Sequence, residues 1–349
     1  MGGAEYQVKC IINELKKSGK FIIYYITKHA DSEYKPNGYK IIKIPGHSCL
    51  IRYGYFYDAI NLSCLLKKIG PDIIYQRVGG AYTGITAYHA VRYNIKMVWH
   101  IAHDTDVMPF QERLTIKSSI RYIDKKLLDY GVRNAHQIIA QSHQQADFLT
   151  QYFNRKPIKI IRNFHPMPQE KIEKPLPVKI LWVANIKPMK QPEIFIKLAK
   201  DLDRLSQPVE CIMIGRPFES NLRWQNQLEQ EIDKISILSY LGNQSIEKVN
   251  QLLDSAHIFV NTSIYEGFPN TFIQAWMRRV PVVSLNCNPD SILTQKRIGL
   301  VSNNYDGLLS DVISLVAENS IRDRMGESAQ RYAFKTFSLK NIHSLLRIL

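Results

Sequence analysis

The sequence predicts a two-domain α/β protein with a parallel sheet in each half. Short, nearly continuous apolar runs alternate with amphipathic stretches of about 10–20 residues that carry helical periodicity. Strands that are buried on both faces read in this way, and helices connect them in strand–helix–strand units. The length of 349 residues also exceeds what one hydrophobic core usually serves. These observations together favour two domains of similar construction.

The predicted strands are divided equally between the two halves. In the first half they are Phe21–Ile26, Asp72–Tyr75, Met97–Ile101 and Gln137–Ala140. In the second half they are Lys179–Val183, Glu210–Ile214, His257–Val260 and Pro281–Ser284. Prolines between the halves cannot continue a helix or a central strand, so we place the interdomain linker at residues 166–178. The N-terminal domain is then 1–165, the C-terminal domain 179–330, and a C-terminal helix at 331–349 could return to the first domain.

Composition is that of a folded globular protein, with 45% hydrophobic and 22% charged residues. The five cysteines form no C-x-x-C pair, which disfavours zinc and disulfide frameworks and fits a reducing compartment. The longest apolar strings are strand-sized, and no basic segment with a long apolar run opens the chain. We therefore expect a cytoplasmic protein without a membrane span.

The net charge of +15 is concentrated in the first half of the chain. Residues 1–173 hold 25 Lys and Arg against 14 Asp and Glu, whereas residues 174–349 hold 21 against 17. Such a field attracts anionic lipid, phosphorylated substrates or nucleic acid without choosing among them, and a merely solvated basic surface is an equal alternative. A nucleic-acid-binding face would interleave basic and aromatic residues, and we cannot assemble one, so we expect no nucleic-acid partner.

The strongest motif lies between Asn261 and Trp276. A buried strand leads into a polar loop and then into a helix that we expect to start near Asn270 or Thr271. The unpaired N–H groups of a first helical turn can receive a phosphate. Glu266, just before the helix, is suited to accept hydrogen bonds from sugar hydroxyls. A simple cap and turn is the alternative for this segment taken alone.

This run resembles the signature of retaining glycosyltransferase family 4, Ser-x-x-Glu-Gly-Phe-Pro-Asn-Thr, with a second Glu eight positions after the first and then Pro-Val-Val. The resemblance implies that Glu266 contacts hydroxyls of the donor sugar. The second position, which binds the nucleotide ribose in the family, holds Gln274, a side chain that can hydrogen-bond but carries no charge. The resemblance also assigns the rest of the motif to donor binding: Phe268, Pro269, Asn270 and Thr271.

A second segment, Leu181 to Lys190, resembles the family pattern Val-Gly-Arg-Leu-x-x-x-Lys, whose Arg and Lys hold the donor diphosphate. Lys190 stands at the Lys position, whereas Ala184 and Asn185 stand at the Gly and Arg positions. Lys187 is an open candidate for the missing cation. The resemblance implies that Lys190 and Asn185 contact the donor, where a positioned cation would stabilise charge on the leaving diphosphate.

Three glycines match loops on the donor side of the family pattern. Gly215 and Gly242 end strand-like runs, where glycine lets the backbone approach a nucleotide, and a plain turn is the alternative for each. Gly3 belongs to Gly-Gly-Ala-Glu, which resembles a family loop that lies against the donor phosphates. That loop normally follows a first strand, and the sequence has no such strand before Gly3.

The family often places a histidine close to the sugar and the acceptor at the end of a strand in the first half. We favour His103 for this role and place His100 second, with a structural His–Asp pair as the alternative. The glycines Gly79 and Gly80 also follow a strand, but their spacing is not G-x-G-x-x-G, so we interpret them as a tight turn. The Asp-x-Asp letters at 104–106 belong to the acceptor half, so we expect no metal and no cofactor.

Taken together, the resemblance implies a GT-B fold, in which two Rossmann-like domains face each other across a cleft. It implies retaining, hexosyltransferase-type transfer from a nucleoside-diphosphate sugar to a saccharide or lipid-linked acceptor. Surface polysaccharide or lipopolysaccharide synthesis is the expected setting, and the basic first half suggests peripheral contact with an anionic inner leaflet. A catalytically silent GT-B subunit that supports a partner glycosyltransferase is the alternative from another functional class.

Overall fold

The computed structural model describes residues 3–27, 36–44, 54–110, 119–168, 172, 174–217 and 222–349. The chain divides into two units. The N-terminal unit comprises Gly2–Asn163 together with Lys340–Leu349, and the C-terminal unit comprises Phe164–Leu339. The first segment of the N-terminal unit therefore ends at Asn163, two residues before the predicted domain boundary at residue 165.

The N-terminal unit contains two parallel sheets. In the first, β1 (Tyr24–Thr27) pairs with β2 (Lys40–Lys43). In the second, four strands lie in the order β3 (Ile73–Arg77), β4 (Lys96–His100), β5 (Gln137–Ala140) and β6 (Lys159–Ile160). The accompanying helices are α1 (Gly3–Ser18), α2 (Gly54–Ile69), α3 (Ala81–Tyr93), α4 (Ser119–Asn134) and α5 (His143–Phe153).

The C-terminal unit is built on one six-stranded parallel sheet. Its strands are β7 (Val178–Val183), β8 (Val209–Ile214), β9 (Leu238–Tyr240), β10 (Ile258–Asn261), β11 (Val282–Ser284) and β12 (Gly299–Val301). They lie in the order β12-β11-β10-β7-β8-β9. The helices are α6 (Pro192–Arg204), α7 (Leu222–Ile232), α8 (Ile246–Ser255), α9 (Asn270–Met277), α10 (Ile292–Gln295), α11 (Tyr305–Ala317) and α12 (Asn319–Thr336). β7 and β10 therefore lie side by side at the centre of the sheet.

The six-stranded sheet separates two apolar layers. Alternate residues along a strand point to opposite faces, so neighbours in β7 and β8 enter different layers. Trp182 and Met213 belong to one layer. Leu181 and Ile214 belong to the other, together with Phe272 of α9. The side of the sheet that carries this second layer is called the α9 face.

All eight predicted strands are present, and their bounds differ from the predictions by at most three residues. The largest difference is at β1, which begins at Tyr24 because Phe21 and Ile22 lie outside it and are exposed to solvent. The sequence prediction missed β2, β6, β9 and β12. Each of these strands has only two to four residues and lies at the edge of a sheet, where a continuous apolar run is not required.

The end of the chain corrects the prediction of one helix at residues 331–349. α12 ends at Thr336 and stays with the C-terminal unit, and a separate helix, α13 (Lys340–Leu346), belongs to the N-terminal unit. Several hydrogen bonds hold the returning segment: Asn341 Nδ2 donates to the carbonyls of Arg162 (3.2 Å) and Asn163 (3.3 Å), and Lys96 Nζ donates to the carbonyl of Ile348. The segment that joins the first unit is therefore 340–349.

The glycines after β3 form a tight turn into α3, as predicted. A Cβ on Gly79 would lie 2.7 Å from Cγ of Asp106, so no side chain fits at that position. Val78 before it has a φ of 73°, which β-branched residues rarely adopt. The first N–H of α3, on Ala81, donates to Asp124 Oδ1 (2.8 Å). In a dinucleotide-binding turn, the first N–H groups of the helix bind a phosphate. Here the carboxylate of Asp124 occupies that place at the start of α3.

Two further features concern membrane-spanning helices and cysteines. In the described part of the chain, no helix is both long enough and apolar enough to cross a membrane. Four cysteines among the described residues are free thiols: Cys10, Cys64, Cys211 and Cys287.

Candidate active site

The loop between β10 and α9 carries the strongest motif of the sequence. β10 is fully buried, and the loop that follows it ends at Pro269, which is the N-cap of α9 with a φ of −65°. The helix begins at Asn270, as predicted. Proline leaves no N–H unpaired at the end of the loop, and its carbonyl accepts from the N–H of Phe272 (3.1 Å), which closes the first turn of the helix. The carboxyl end of a central strand thus leads directly to the start of a helix.

Lys190 and Glu266 form an ion pair at this edge of the sheet. Lys190 is the last residue of a short 3₁₀ helix, Pro188–Lys190, which follows β7, and its Nζ donates to Oε1 of Glu266. The two side chains are only 17% and 13% exposed. Ser263 Oγ donates to the same carboxylate oxygen at 2.8 Å. Two residues taken from separate motifs of the sequence are therefore in direct contact.

Hydrogen bonds between the two loops hold this pair in place. Thr262 Oγ1 donates to the carbonyl of Lys190 (2.6 Å) and accepts from Trp182 Nε1 (2.9 Å). The backbone N–H of Ile264 donates to the carbonyl of Met189 (3.0 Å). These bonds tie the loop after β7 to the loop after β10 on both sides of the ion pair. A fixed charged group is suited to stabilise charge because it needs little reorganisation.

Neighbouring polar side chains hold Ser263 in position. Asn261 Nδ2 donates to Ser263 Oγ (3.2 Å), and Asn261 Oδ1 accepts from Ser284 Oγ (3.3 Å). Cys287 Sγ donates to the carbonyl of Ser263 (3.4 Å). Burial, with a smaller contribution from the charge of Glu266, raises the pKa of the Cys287 thiol to about 12, so the thiol stays protonated and can act as this donor. The carboxylate of Glu266 therefore rests on a network buried in the protein.

The two glycines that were predicted to approach the nucleotide lie at the ends of neighbouring strands. A Cβ on Gly215 would lie 2.0 Å from the carbonyl oxygen of Ala184, so only glycine allows the loops after β7 and β8 to meet. The N–H of Gly215 donates to the carbonyl of Gly242 (2.9 Å), and Tyr240 Oη donates to the carbonyl of Gly215 (2.9 Å). Gly242 has a φ of 64°, which favours glycine. Asn185, beside Ala184, is exposed.

Two predicted donor-binding side chains are directed into the protein. The ring of Phe268 is buried, with centroids 5.1 Å from Phe337 and 6.3 Å from Trp276, so only its backbone is left to meet a donor. Gln274 is buried in α9, and its Nε2 donates to Asn250 Oδ1 of α8 at 2.9 Å. Asn270 and Thr271, in the first turn of α9, are half-buried.

The two histidines at the end of β4 have different surroundings. His100 is fully buried, and its ring nitrogens contact Tyr75 Oη (2.9 Å) and the carbonyl of Ile161 (3.1 Å). Burial and the charge of Arg77 hold the pKa of His100 well below its usual range, so the ring is neutral and structural. His103 is exposed, and its backbone N–H donates to Oδ2 of Asp106 (3.0 Å). Of the two, His103 is the one available to a ligand.

The structure brings together some of the predicted site residues. Lys190 touches Glu266, and in the same unit Gly215 touches Gly242 beside Ala184. His103 and Gly3 belong to the N-terminal unit, where Gly3 is the first residue of α1. Six supporting residues received no separate role at the level of sequence, although Asn261, Thr262 and Ser263 lie inside the strongest motif and Trp182 lies inside the second segment. The other two, Ser284 and Cys287, lie at the end of β11 and just after it.

Two family models match consecutive parts of the chain. Residues 1–165 match the model described as Glycosyltransferase Family 4, and residues 167–332 match the model described as Glycosyl transferases group 1. The chain belongs to glycosyltransferase family 4. The glycosyltransferase is also 22% identical to an uncharacterised glycosyltransferase of Methanocaldococcus jannaschii over 97% of its own length and 92% of the relative's length.

A second relative and two solved structures complete the comparison. The chain is 23% identical to an Escherichia coli enzyme named UDP-Gal:alpha-D-GlcNAc-diphosphoundecaprenol alpha-1,3-galactosyltransferase, over 72% of this chain and 66% of the relative. Anabaena HepE, solved with UDP and glucose, aligns with a TM-score of 0.75 at 15% identity over 99% and 95% of the two chains. WaaG, a glycosyltransferase involved in lipopolysaccharide biosynthesis, aligns with a TM-score of 0.77 at 13% identity. The alignment covers 100% of this chain and 96% of WaaG. The glycosyltransferase therefore has the GT-B fold.

Proposed function

We propose that this glycosyltransferase moves a hexose from a nucleoside-diphosphate sugar to a saccharide or lipid-linked saccharide acceptor with retention of the anomeric configuration. The observation that carries the proposal is the ion pair between Lys190 and Glu266 beside the start of α9. The pair places a cation and a carboxylate at the carboxyl ends of central parallel strands, where α/β sheets bind ligands. A cation suits the diphosphate and a carboxylate suits the sugar hydroxyls, so one donor molecule can engage both.

Each member of the pair has a separate task. When the bond between the anomeric carbon and the diphosphate breaks, negative charge grows on the phosphate oxygens. Lys190 Nζ and the N–H groups of the first turn of α9 can stabilise that charge. Glu266 accepts hydrogen bonds from sugar hydroxyls, and its contact with Lys190 limits its repulsion of the nearby phosphates.

In a transfer that proceeds without a covalent intermediate, retention requires the acceptor oxygen to attack from the face that the diphosphate leaves. The new bond joins the acceptor oxygen to the anomeric carbon, and the bond from that carbon to the diphosphate oxygen breaks. The acceptor's proton passes to a phosphate oxygen of the leaving group, so no covalent intermediate on the protein is needed. His103, at the end of β4, is proposed to contact the sugar or acceptor. We propose that Lys190 and the first turn of α9 stabilise the negative charge of the leaving diphosphate without a metal or a further cofactor.

The comparisons guide the choice of donor and acceptor. HepE was solved with UDP and with UDP-glucose, and the Escherichia coli relative is named for a UDP-Gal donor and a diphosphoundecaprenol-linked acceptor. WaaG is described as acting in lipopolysaccharide biosynthesis. We accordingly place this enzyme in cell-surface polysaccharide or lipopolysaccharide assembly in the cytoplasm, with UDP-sugars as the first donors to test.

A panel of UDP-, GDP- and ADP-sugars tests the proposed activity. We expect one nucleotide class to raise the Tm of the protein, because a ligand that binds only the folded state stabilises it. We also expect slow hydrolysis of the matching donor, unchanged by EDTA. Stabilisation without hydrolysis or transfer would favour the silent-subunit alternative. If no sugar nucleotide stabilises the protein, the proposal is wrong.

We further propose that the N-terminal unit rests on an anionic membrane surface. On α3, Tyr88, Val91, Arg92 and Tyr93 are all exposed. The guanidinium carbon of Arg92 lies 6.0 Å from the ring centroid of Tyr93. Rings and cations combined in this way suit the headgroup region, where the charge meets lipid phosphates and the ring meets the apolar boundary.

Co-sedimentation with vesicles tests this membrane contact. We expect binding to phosphatidylglycerol-containing vesicles at low salt, and release at high salt because the charges are screened. Arg92→Ala should weaken binding by about fivefold. The matched control is Arg204→Ala, which removes an exposed arginine of the C-terminal unit and should change little. Absence of binding at low salt, or equal losses for the two variants, would contradict the proposal.

A further inference from the structure

A diphosphate carries more negative charge than the single ammonium group of Lys190 can balance. The ammonium group of Lys190 already contacts the carboxylate of Glu266, which offsets part of its charge. The family pattern has an arginine at the position of Asn185, and asparagine is neutral. A cation on another element that reaches the same place would restore the balance.

The register of the sheet identifies such a position. β7 and β8 pair with Val183 opposite Ile214. The pairing continues past the strand ends, because the N–H of Ala184 donates to the carbonyl of Ile214 (3.1 Å) and the N–H of Ile186 donates to the carbonyl of Arg216 (3.0 Å). Continuing the register by two residues places Arg216 opposite position 185. Neighbouring strands lie about 5 Å apart, so the two side chains start as lateral neighbours.

The alternation of side chains indicates the face on which these two residues lie. Leu181 in β7 and Ile214 in β8 both contribute to the apolar layer on the α9 face. Side chains alternate with a period of two along a strand, so Asn185 and Arg216 continue the rows of Leu181 and Ile214. Both therefore start on the α9 face, at the carboxyl edge, and both are exposed. That is the side of the sheet on which the phosphate-receiving helix start belongs.

The backbone that carries Arg216 is well fixed. The preceding residue, Gly215, donates to the carbonyl of Gly242 and accepts from Tyr240, at 2.9 Å in each case. The carbonyl of Arg216 itself accepts from Ile186. A side chain that starts from an anchored backbone loses less freedom when it binds a ligand, which favours a functional contact.

We propose that Arg216 is the second cation of the donor site, one strand away from the position where the family pattern has arginine. The planar guanidinium can donate two parallel hydrogen bonds to phosphate oxygens, which a lysine cannot match. The inference rests on the proposed function, because it assigns Arg216 to the diphosphate of the same donor. It assigns the missing cation to Arg216 rather than to Lys187, and the titrations below distinguish the two.

Calorimetric titration of the full chain tests this assignment. The wild-type protein is titrated with UDP, GDP and ADP, and the tightest of them is used for the variants. We expect Arg216→Ala to weaken binding of that diphosphate about tenfold. Binding of the corresponding nucleoside, which has no phosphate, should stay unchanged. The matched control is Lys187→Ala, which removes an exposed cation from the adjoining loop and should leave both affinities close to wild type.

A rescue variant separates a phosphate contact from a general effect on the loop. Asn185→Arg in the Arg216→Ala background should restore most of the lost affinity, because it returns the cation to the neighbouring position. An unchanged affinity in Arg216→Ala, an equal loss in Lys187→Ala, or a failure of the rescue in a protein with wild-type Tm would overturn the inference. If the wild type binds none of the three diphosphates, the proposed function fails instead.

Discussion

Lys190→Ala is expected to lower kcat for sugar transfer by about 10²–10³-fold, the usual cost of removing one group that stabilises developing negative charge. The reason is that hydrogen bonds from Thr262 and Ile264 fix the backbone of Lys190 at the carboxyl edge of the sheet, and Glu266 holds its Nζ there. Affinity for the nucleoside diphosphate should fall as well, since the same ammonium group is proposed to contact its phosphates. Steady-state kinetics with the donor selected from the panel, combined with diphosphate titration, measures both effects.

The control for Lys190→Ala must separate chemistry from folding. Removing Lys190 leaves Glu266 without its cation in a site where both side chains are mostly buried, so some loss of Tm is expected. Lys190→Arg keeps the charge and should retain more activity than the alanine variant. A kcat within threefold of wild type for Lys190→Ala, in a folded protein, would show that Lys190 has no part in the reaction.

Glu266→Ala is expected to lower kcat/KM for transfer by at least about 100-fold, since the carboxylate is proposed to bind the sugar hydroxyls. Its effect on the nucleotide should have the opposite sign. Without the carboxylate, Lys190 loses its present partner, so affinity for the bare nucleoside diphosphate should stay the same or increase. Parallel titrations with the diphosphate and with the sugar nucleotide distinguish the two contacts.

The contrast between the two variants is the informative result. Lys190→Ala should weaken binding of the diphosphate and of the sugar nucleotide alike. Glu266→Ala should weaken binding only of the sugar nucleotide. Ser263→Ala is a suitable milder control, because it removes a neutral hydrogen bond to the same carboxylate oxygen and leaves both charges in place. Equal losses of diphosphate affinity in both charge variants would contradict the assignment of Glu266 to the sugar.

Local patterns in the sequence predicted the central strands and the start of α9. β7 and β10 read as buried runs because both of their faces are covered, and Pro269 with Asn270 marks a helix start. The family pattern also singled out Lys190 and Glu266. Their contact with each other could not be predicted, because it depends on β7 and β10 being neighbours in the sheet.

The directions of several predicted site side chains depend on distant parts of the chain. Phe268 lies in the motif that we propose to bind the donor, but its ring packs on Phe337 of a segment much later in the sequence. Gln274 bonds to Asn250 of another helix. Arg216 gained a candidate role only from the register between β7 and β8, which no local pattern specifies. Side-chain direction in these cases is set by tertiary packing rather than by local sequence.

The most direct test is a crystal structure of the protein with the nucleoside diphosphate that it binds best. If the donor binds at the Lys190–Glu266 ion pair, phosphate oxygens will lie within hydrogen-bonding distance of Lys190 Nζ and of backbone N–H groups in the first turn of α9. A nucleotide bound elsewhere, with its phosphates away from both groups, would contradict the assignment of this site to the donor.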